Sequence, residues 1–453
     1  MSIKRLLASA ALGASLSLSM VAAPPMAFAA NPSSGAPPTV PQVASATSGA
    51  SWLSDRLNPA GFVPSSGNPA QADLSATANT VLALASVGDD AAADHALSYL
   101  AGNVNAFVTA GGSDGPGQLA LLILGAHALG ANPESFGGVD LVSRLLATEQ
   151  PSGADAGLFG AQDATFDGAY RQGLALSALA SVGMTTSAPV ETAVSWLKGQ
   201  QCPDGGWTSL ITSNNPCNGD PANFEGPDTN STAQAIEGLS AQGALPSKSA
   251  HLAARFIAAA QDPDGGWGFE PNTASAPSSS DPDSTALMIQ ALLALGKSPS
   301  SATYARGSAN PVAALMSFQL TSGAGSGAFF FPGDLSPNTV ATYQAVPALA
   351  GTTDPFDLVI TTMSLPGTTL HSEYVTTLAA SGGTAPYTWK PINGTGALPA
   401  GLKLNRSSGA ISGRTKGFGT STFAVEVFAA RAGTSPTTQA IAWRVFSITS
   451  SAS

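Results

Sequence analysis

The chain has 453 residues, of which 17 are Lys or Arg and 28 are Asp or Glu, so its formal net charge is −11. Charged residues make up 10% and hydrophobic residues 43%, too little charge for a charge-rich disordered chain and enough apolar material for a large core in two or three domains. The acidic balance argues against a nucleic-acid or anionic-lipid partner, because both are bound through clustered Lys and Arg.

At the N-terminus, Lys4 and Arg5 precede an apolar stretch over residues 6–23, and Ala27-Phe28-Ala29 supplies a small-x-small cleavage pattern. Residues 1–29 therefore read as a signal peptide, which places the mature chain outside the cytoplasm. Residues 30–45 read as a Pro/Ser-rich linker without apolar period. No later stretch is long and apolar enough to predict a membrane span.

Repetition dominates the next three hundred residues. Gln150, Gln201, Gln261 and Gln319 each close a helical pattern and open a Gly-rich loop, at separations of 51, 60 and 58 residues. Two copies are explicit, Gln201-Cys-Pro-Asp-Gly-Gly-Trp207 and Gln261-Asp-Pro-Asp-Gly-Gly-Trp267. Around them the pattern predicts six helix pairs. The first members, near 51–57, 91–107, 139–149, 190–200, 249–260 and 311–318, are amphipathic. The second members, near 74–86, 118–129, 170–181, 231–241, 284–295 and 338–349, are apolar or small all round and so buried on all faces. Strict alternation implies an inner ring of parallel helices inside an outer ring.

Asp73, Asp114, Asp167, Asp228 and Asp283 fall at the starts of five inner helices and Ser336 before the sixth. N-capping explains acids there, since a carboxylate accepts orphan backbone N–H groups and meets the positive helix end. On parallel helices the same acids would also gather at one end of a barrel, where a cavity would open.

The Gln-x-x-x-Gly-Gly-Trp loops and paired helices resemble the squalene-cyclase and prenyltransferase α/α toroid over residues 46–351. That resemblance implies a six-hairpin α/α toroid (an α6/α6 barrel), with the loop Gln and Trp tying neighbouring helices together. Segments 117–122 and 170–175 are similar to the secreted cobalamin carriers, which makes cobalamin a conceivable ligand. Class II terpene cyclases of the toroid family protonate an alkene with a D-x-D-D motif, and Asp281-Pro-Asp283-Ser284 is a near match with Ser in the last place. If the chain were a cyclase, Asp281 and Asp283 would be its acids. The motif's echo at Asp228-Thr229-Asn230-Ser231 reads more simply as a repeated helix start, and the inner helices carry only Tyr170 and Tyr343 as aromatics to stabilise a carbocation.

The zinc site of the related prenyltransferases needs Asp, Cys and His together, whereas His95, His127, His251 and His371 stand at non-ligand spacings, so no metal is expected. In an exported protein Cys202 and Cys217 are expected to pair as a disulfide pinning the loop between Gln201 and Asp228, the alternative being two free thiols. Gly111-Gly112-Ser113-Asp114-Gly115 matches G-x-S-x-G without the preceding strand that a nucleophile elbow requires.

After residue 351 the pattern changes to short β-branched runs at 358–362, 374–379, 387–391, 423–428 and 441–448. Pro386-Tyr387-Thr388-Trp389, Leu398-Pro399-Ala400-Gly401-Leu402 and Gly409-Ala410-Ile411-Ser412-Gly413 closely resemble the Ig-like domain of bacterial surface proteins. Residues 355–449 are thus expected to form an Ig-like β-sandwich, a spacer or adhesive module, making the chain multidomain, all-α plus all-β.

The resulting expectation is a secreted or surface-associated, noncatalytic toroid that binds a small or apolar ligand or a surface partner at one end of its barrel. Candidate ligand-binding residues are Asp167, Tyr170, Gln172, Trp207, Asp228, Trp267 and Asp283. The alternatives are a terpenoid-cyclase-like or carbohydrate-active enzyme on the same toroid, or a purely structural surface protein.

Overall fold

The computed structural model describes residues 38–110, 112–160, 168–209, 217, 226–272, 279–356, 358–360, 362, 364–382, 384–430 and 439–452. Residues 1–29, read from sequence as a signal peptide, most of the expected linker and Asp167 lie outside the described residues. Thirteen α-helices are present among them: α1 Val40–Ser54, α2 Leu74–Val87, α3 Asp90–Ala101, α4 Val104–Val108, α5 Pro116–Ala128, α6 Leu141–Leu146, α7 Ala169–Ser181, α8 Ala188–Gly199, α9 Thr229–Ala241, α10 Ser247–Ala260, α11 Pro282–Ala294, α12 Pro311–Ser317 and α13 Thr339–Ala350. None is long and apolar enough to cross a membrane.

The first helix corrects the linker boundary. Residues 40–45, expected in the linker, are its opening turns, because Thr39 and Gln42 form a capping box and Pro41 sits where a missing N–H costs nothing. Pro in a compositionally linker-like run thus marks a helix start.

Six helices pack in a closed circuit: α2 on α5, α5 on α7, α7 on α9, α9 on α11, α11 on α13, and α13 back on α2. Their composition explains the closeness. Every residue of α11 except Asp283 is buried, and every residue of α9 except Asn230. Between α7 and α9, a Cβ on Gly173 would run into the Gln234 carbonyl and one on Gly238 into the Gly173 carbonyl, so only glycine permits this approach. The remaining longer helices lie outside; α10, for instance, buries Ala253, Phe256, Ile257 and Ala260, one stripe at helical spacing.

The repeat loops are the fasteners of the ring. Gln261 Nε2 donates to the carbonyls of Gly265 and Tyr304, both at 2.8 Å, and Gln201 Nε2 to those of Gly205 and Ser249 at 3.1 and 3.0 Å. Gln319 Nε2 donates at 2.9 Å to Gly327 and to Ser45, 274 positions away, and so closes the circuit. Trp207 and Trp267 are fully buried, each donating its indole N–H to a carbonyl ten residues earlier, Leu197 at 2.8 Å and Ile257 at 2.9 Å. Gly205 holds a φ of +104 with the Leu252 carbonyl against its Cα, a position no side chain could take.

The helix starts correct the row of capping acids. Asp73 and Asp228 do cap, accepting from Ala76 N at 2.8 Å and Ser231 N at 2.7 Å. In α11 the cap is Asp281, accepting from Ser284 N at 2.7 Å, and Asp283 is already inside the first turn. Asp114 caps nothing; it pairs with Arg144, whose Nε donates to it at 2.7 Å. Asn338 rather than Ser336 caps α13.

Cys202 and Cys217 form the disulfide, with Cα atoms 5.4 Å apart.

The C-terminal region is all β. One sheet orders Thr384–Pro391, Gly419–Ala430, Gln439–Ser451 and Thr368–Thr369, a second orders Leu402–Leu404, Ala410–Arg414 and Glu373–Thr377, and Ala380–Gly382 pairs with Leu358–Ile360. Trp389, Ile411, Phe423, Val425 and Phe446 belong to its core. This region docks on the ring: Phe356, Ile392, Ala424 and Trp443 belong to the same core as the helices. Trp443 Nε1 donates to the carbonyl of Ala350, the last residue of α13, at 2.7 Å, and Arg444 pairs with Asp90, the first residue of α3, at 2.7 Å. Both contacts lie where inner helices end.

Candidate functional site

A cavity of about 220 Å³ lies inside the ring, and all six inner helices contribute to its wall. Ser75, Gly117, Tyr170 and Arg171 come from the first turns of their helices, so the cavity reaches the N-terminal end of the ring. At the opposite end the chain leaving α13 supplies Asp354, next to the segment that docks the C-terminal region. The wall is unusually rich in carboxamides: Asn79, Gln118, Gln234, Gln290 and Gln344. Tyr170 and Tyr343 add two phenols, while Leu82, Leu121, Leu174 and Leu287 provide its apolar area.

At the floor the half-buried Asp354 lies beside a buried carboxyl behind the wall. Glu237, fully buried on α9, accepts from the backbone N–H of Asp354 at 3.2 Å and from Gln234 Nε2 at 3.3 Å. Gln290 Nε2 donates to the carbonyl of Thr352 at 3.2 Å, holding the same segment from α11. Burial pushes the Asp354 carboxyl up to about 7, and burial followed by the charge of Asp354 raises Glu237 well above the carboxylate range.

Asp283 stands near the mouth, one helical turn before the wall residue Leu287 and on the same face of α11. Its Oδ1 is buried without a hydrogen-bond partner among the described residues. Burial, and then the neighbouring charge of Asp281, pushes it up to about 7. Tyr170 and Tyr343 are raised far beyond the usual phenol value, first by burial; charges of Glu237, Asp354 and Asp283 add to Tyr170, and those of Tyr170 and Asp283 to Tyr343. The acids at floor and mouth thus act on one electrostatic space.

Most of the residues proposed from sequence do not line this space. Trp207 and Trp267 are loop anchors without exposed surface. Gln172 is equally buried: its Oε1 accepts from Phe159 N at 2.9 Å and its Nε2 donates to the carbonyls of Gly157 and Ala193 at 2.8 and 3.2 Å, the loop-tying role of a repeat glutamine moved onto an inner helix. Asp228 is pushed up to about 6 by burial but is saturated by the N–H groups of Ser231 and Ser209. Tyr170 does line the cavity; Asp283 is not part of the wall, although it lies one helical turn before the wall residue Leu287.

Sequence reasoning missed the carboxamides, Glu237 and Asp354. One signal could have found them. In helices buried all round, a polar side chain has no solvent face, so Gln234, Glu237 and Gln290 must point either at a partner or into an internal space.

A wider groove of about 770 Å³ lies on the surface near Trp52 and Arg56, whose guanidinium stacks 4.5 Å over the Trp52 ring. Among the described residues no cluster of three His, Cys, Asp or Glu could hold a metal ion.

Residues 129–278 match the family model of the squalene-hopene cyclase C-terminal domain, and residues 356–445 match the model described as "Putative Ig domain". Among solved structures, the apo type II terpene cyclase MstE from Scytonema is 18% identical, with a TM-score of 0.48 over 69% of this chain and 98% of that one. A protein from Actinoplanes is 16% identical with a TM-score of 0.45, covering 68% and 99%. The endo-beta-1,4-glucanase CMCax from Acetobacter xylinum is 13% identical with a TM-score of 0.42, covering 68% and 98%. No curated protein matches the chain.

Proposed function

We propose that this chain is an exported, noncatalytic binding protein: a six-hairpin α/α toroid that holds a small ligand inside its ring, closed at the far end by an Ig-like β-sandwich. The observation that carries this reading is the composition of the cavity wall, five carboxamides and two phenols on six helices whose buried residues are mostly small or apolar. Polar groups in such a place are costly unless something hydrogen-bonds to them. At about 220 Å³ the space is larger than the roughly 150 Å³ that holds a benzene ring and smaller than the usual range of about 300–1,000 Å³ for drug-sized ligands, so it fits a compound of about ten heavy atoms. Export rests on the N-terminal sequence, Lys4 and Arg5 before the apolar stretch and Ala27-Phe28-Ala29 after it.

Native mass spectrometry of protein purified from its own host tests the reading. A small adduct that is absent from the cavity-filling variant Leu121→Trp supports it; an unliganded wild-type protein, or an adduct that the variant retains, opposes it. Cobalamin would declare itself in the same spectrum by its mass.

One observation favours a second reading, proton-transfer catalysis of the cyclase type. Asp283 holds its proton close to neutrality, carries an unpartnered oxygen and lies one helical turn before the wall residue Leu287. Against it, the wall is polar and offers only two aromatic rings to a carbocation. Incubation with a linear polyprene decides: a cyclic product lost in Asp283→Asn supports catalysis, and no product from the wild type removes it.

A further inference from the structure

A second opening lies where the ring closes on itself, and we infer that it is a binding groove for a neutral sugar chain, separate from the cavity inside the ring. It measures about 770 Å³ and shares no lining residue with that cavity. Its wall is drawn from the end of α1, the start of α2 and the start of α13, so it runs along the seam where the last inner helix packs back on the first.

The groove is lined by polar groups whose hydrogen-bonding capacity is only partly used. The exposed Arg56 lays its guanidinium 4.5 Å over the Trp52 ring, and its side chain makes no hydrogen bond or ion pair among the described residues. The indole thus holds the fork in place while its five N–H donors stay unspent. Asn58 Oδ1 accepts from Ala60 N and Phe62 N at 2.9 and 3.2 Å, and Asn338 Oδ1 accepts from Ala341 N at 3.1 Å. Backbone N–H groups therefore fix which end of each amide is the oxygen, and each Nδ2 is left over as a donor. Asp73 is likewise half spent, since Oδ1 caps α2 at 2.8 Å and Oδ2 remains. The exposed Asp55 carboxylate has no partner among the described residues.

This set of groups selects the ligand class. A carboxylate or phosphate would meet the donors but be repelled by Asp55 and Asp73, which outnumber the one guanidinium. An ammonium group would meet the two carboxylates and leave the guanidinium and both amides without an acceptor. A hydroxyl donates and accepts at once, so a ligand dense in hydroxyls answers the whole set. Planar forks such as guanidinium and carboxylate also engage two atoms together, and adjacent hydroxyls of a sugar ring offer such a pair. Pro64, Pro337 and Val340 give the C–H faces of the rings an apolar surface. The volume falls within the usual range of about 300–1,000 Å³ for ligand sites and leaves room for about three sugar rings.

Calorimetric titration of the full-length protein with cellohexaose, laminarihexaose and maltohexaose tests the inference, with hexagalacturonate and hexaglucosamine as anionic and cationic counterparts. At least one neutral chain should bind, at least tenfold more tightly than either charged one. Arg56→Ala and Asp55→Ala, both at exposed positions, should each weaken that binding about tenfold. Ser66→Trp, which fills the groove, should abolish it, and Leu121→Trp, which fills the ring cavity, should leave it unchanged.

Binding of none of the three neutral chains would overturn the inference, and so would tighter binding of either charged chain. A neutral chain held equally by wild type and Ser66→Trp would sit elsewhere and overturn it too, and loss of binding in Leu121→Trp would move the sugar into the ring. None of these results weakens the reading of the ring cavity, which stands or falls on the adduct of the host-purified protein.

Discussion

The backbone N–H of Asp354 donates to Oε2 of Glu237 across 3.2 Å, joining the segment that leads into the C-terminal region to the middle of a buried inner helix. One piece of chain therefore serves as cavity floor and as domain junction. The β region belongs to the barrel's construction, where a pendant spacer would leave that end of the ring open.

If so, breaking the junction should destabilise the helical ring. Arg444 is only 4% exposed and its partner Asp90 16%. Arg444→Ala leaves Asp90 without its cation and should cost about 3–5 kcal/mol, in the range measured for breaking buried pairs. Trp443→Phe, which removes the bond to Ala350 and part of the buried indole's volume, should cost about 1–3 kcal/mol. Urea unfolding followed by far-ultraviolet circular dichroism, which reads the helices, checks both. Loss confined to a separate β transition would show that the two regions fold independently.

The loop anchors carry a larger expected cost. Trp207→Ala and Trp267→Ala each remove a fully buried indole and should lower stability by about 3–5 kcal/mol. Gln261→Ala strands the carbonyls of Gly265 and Tyr304 and should cost about 1–3 kcal/mol. Equilibrium denaturation measures each, and a change under half a kcal/mol would remove the fastening role.

Buried acids give stability a definite pH dependence. The ordinary value of Asp283 is 3.8 and its folded value about 7. With a raised folded value, its contribution is fully present below pH 3.8 and is lost as pH rises towards 7, by a few kcal/mol in all. Asp283→Asn, which cannot ionise, should flatten the wild-type decline over that window. Parallel unfolding curves at pH 4, 5.5 and 7 test this, and identical slopes for the two proteins would contradict it.

The disulfide closes a stretch of 15 residues. In the chain-entropy account a loop of that length is worth about 3 kcal/mol, so Cys202→Ser with Cys217→Ser should lose about that much. The paired serines should leave the small adduct of the host-purified protein unchanged, since neither cysteine lines the cavity.

Much of this architecture was legible because repetition is a strong signal. Gln201, Gln261 and Gln319 mark the loops at even spacing, and all-round burial of the intervening segments separates inner helices from outer ones. The start of α1 was not legible, because Pro41 serves a first helical turn as readily as a linker. Capping acids misled at Asp283, since Asp281 two positions earlier offers the same chemistry and backbone geometry alone decides between them. The site escaped for a different reason. Trp207, Trp267 and Gln172 stand out in a one-dimensional pattern because they are unusual and recur with the repeat, yet recurrence marks a structural part. The cavity is built from Asn79, Gln118, Gln234, Gln290 and Gln344, which follow no shared spacing and converge only when the six helices close.

The most direct test of the ligand-binding account is a crystal structure of the protein purified from its own host. The account predicts electron density for a small molecule inside the ring, in contact with Tyr170, Gln118 and Gln344. A ring whose cavity is filled by its own side chains, or a ligand bound only outside it, would contradict the account.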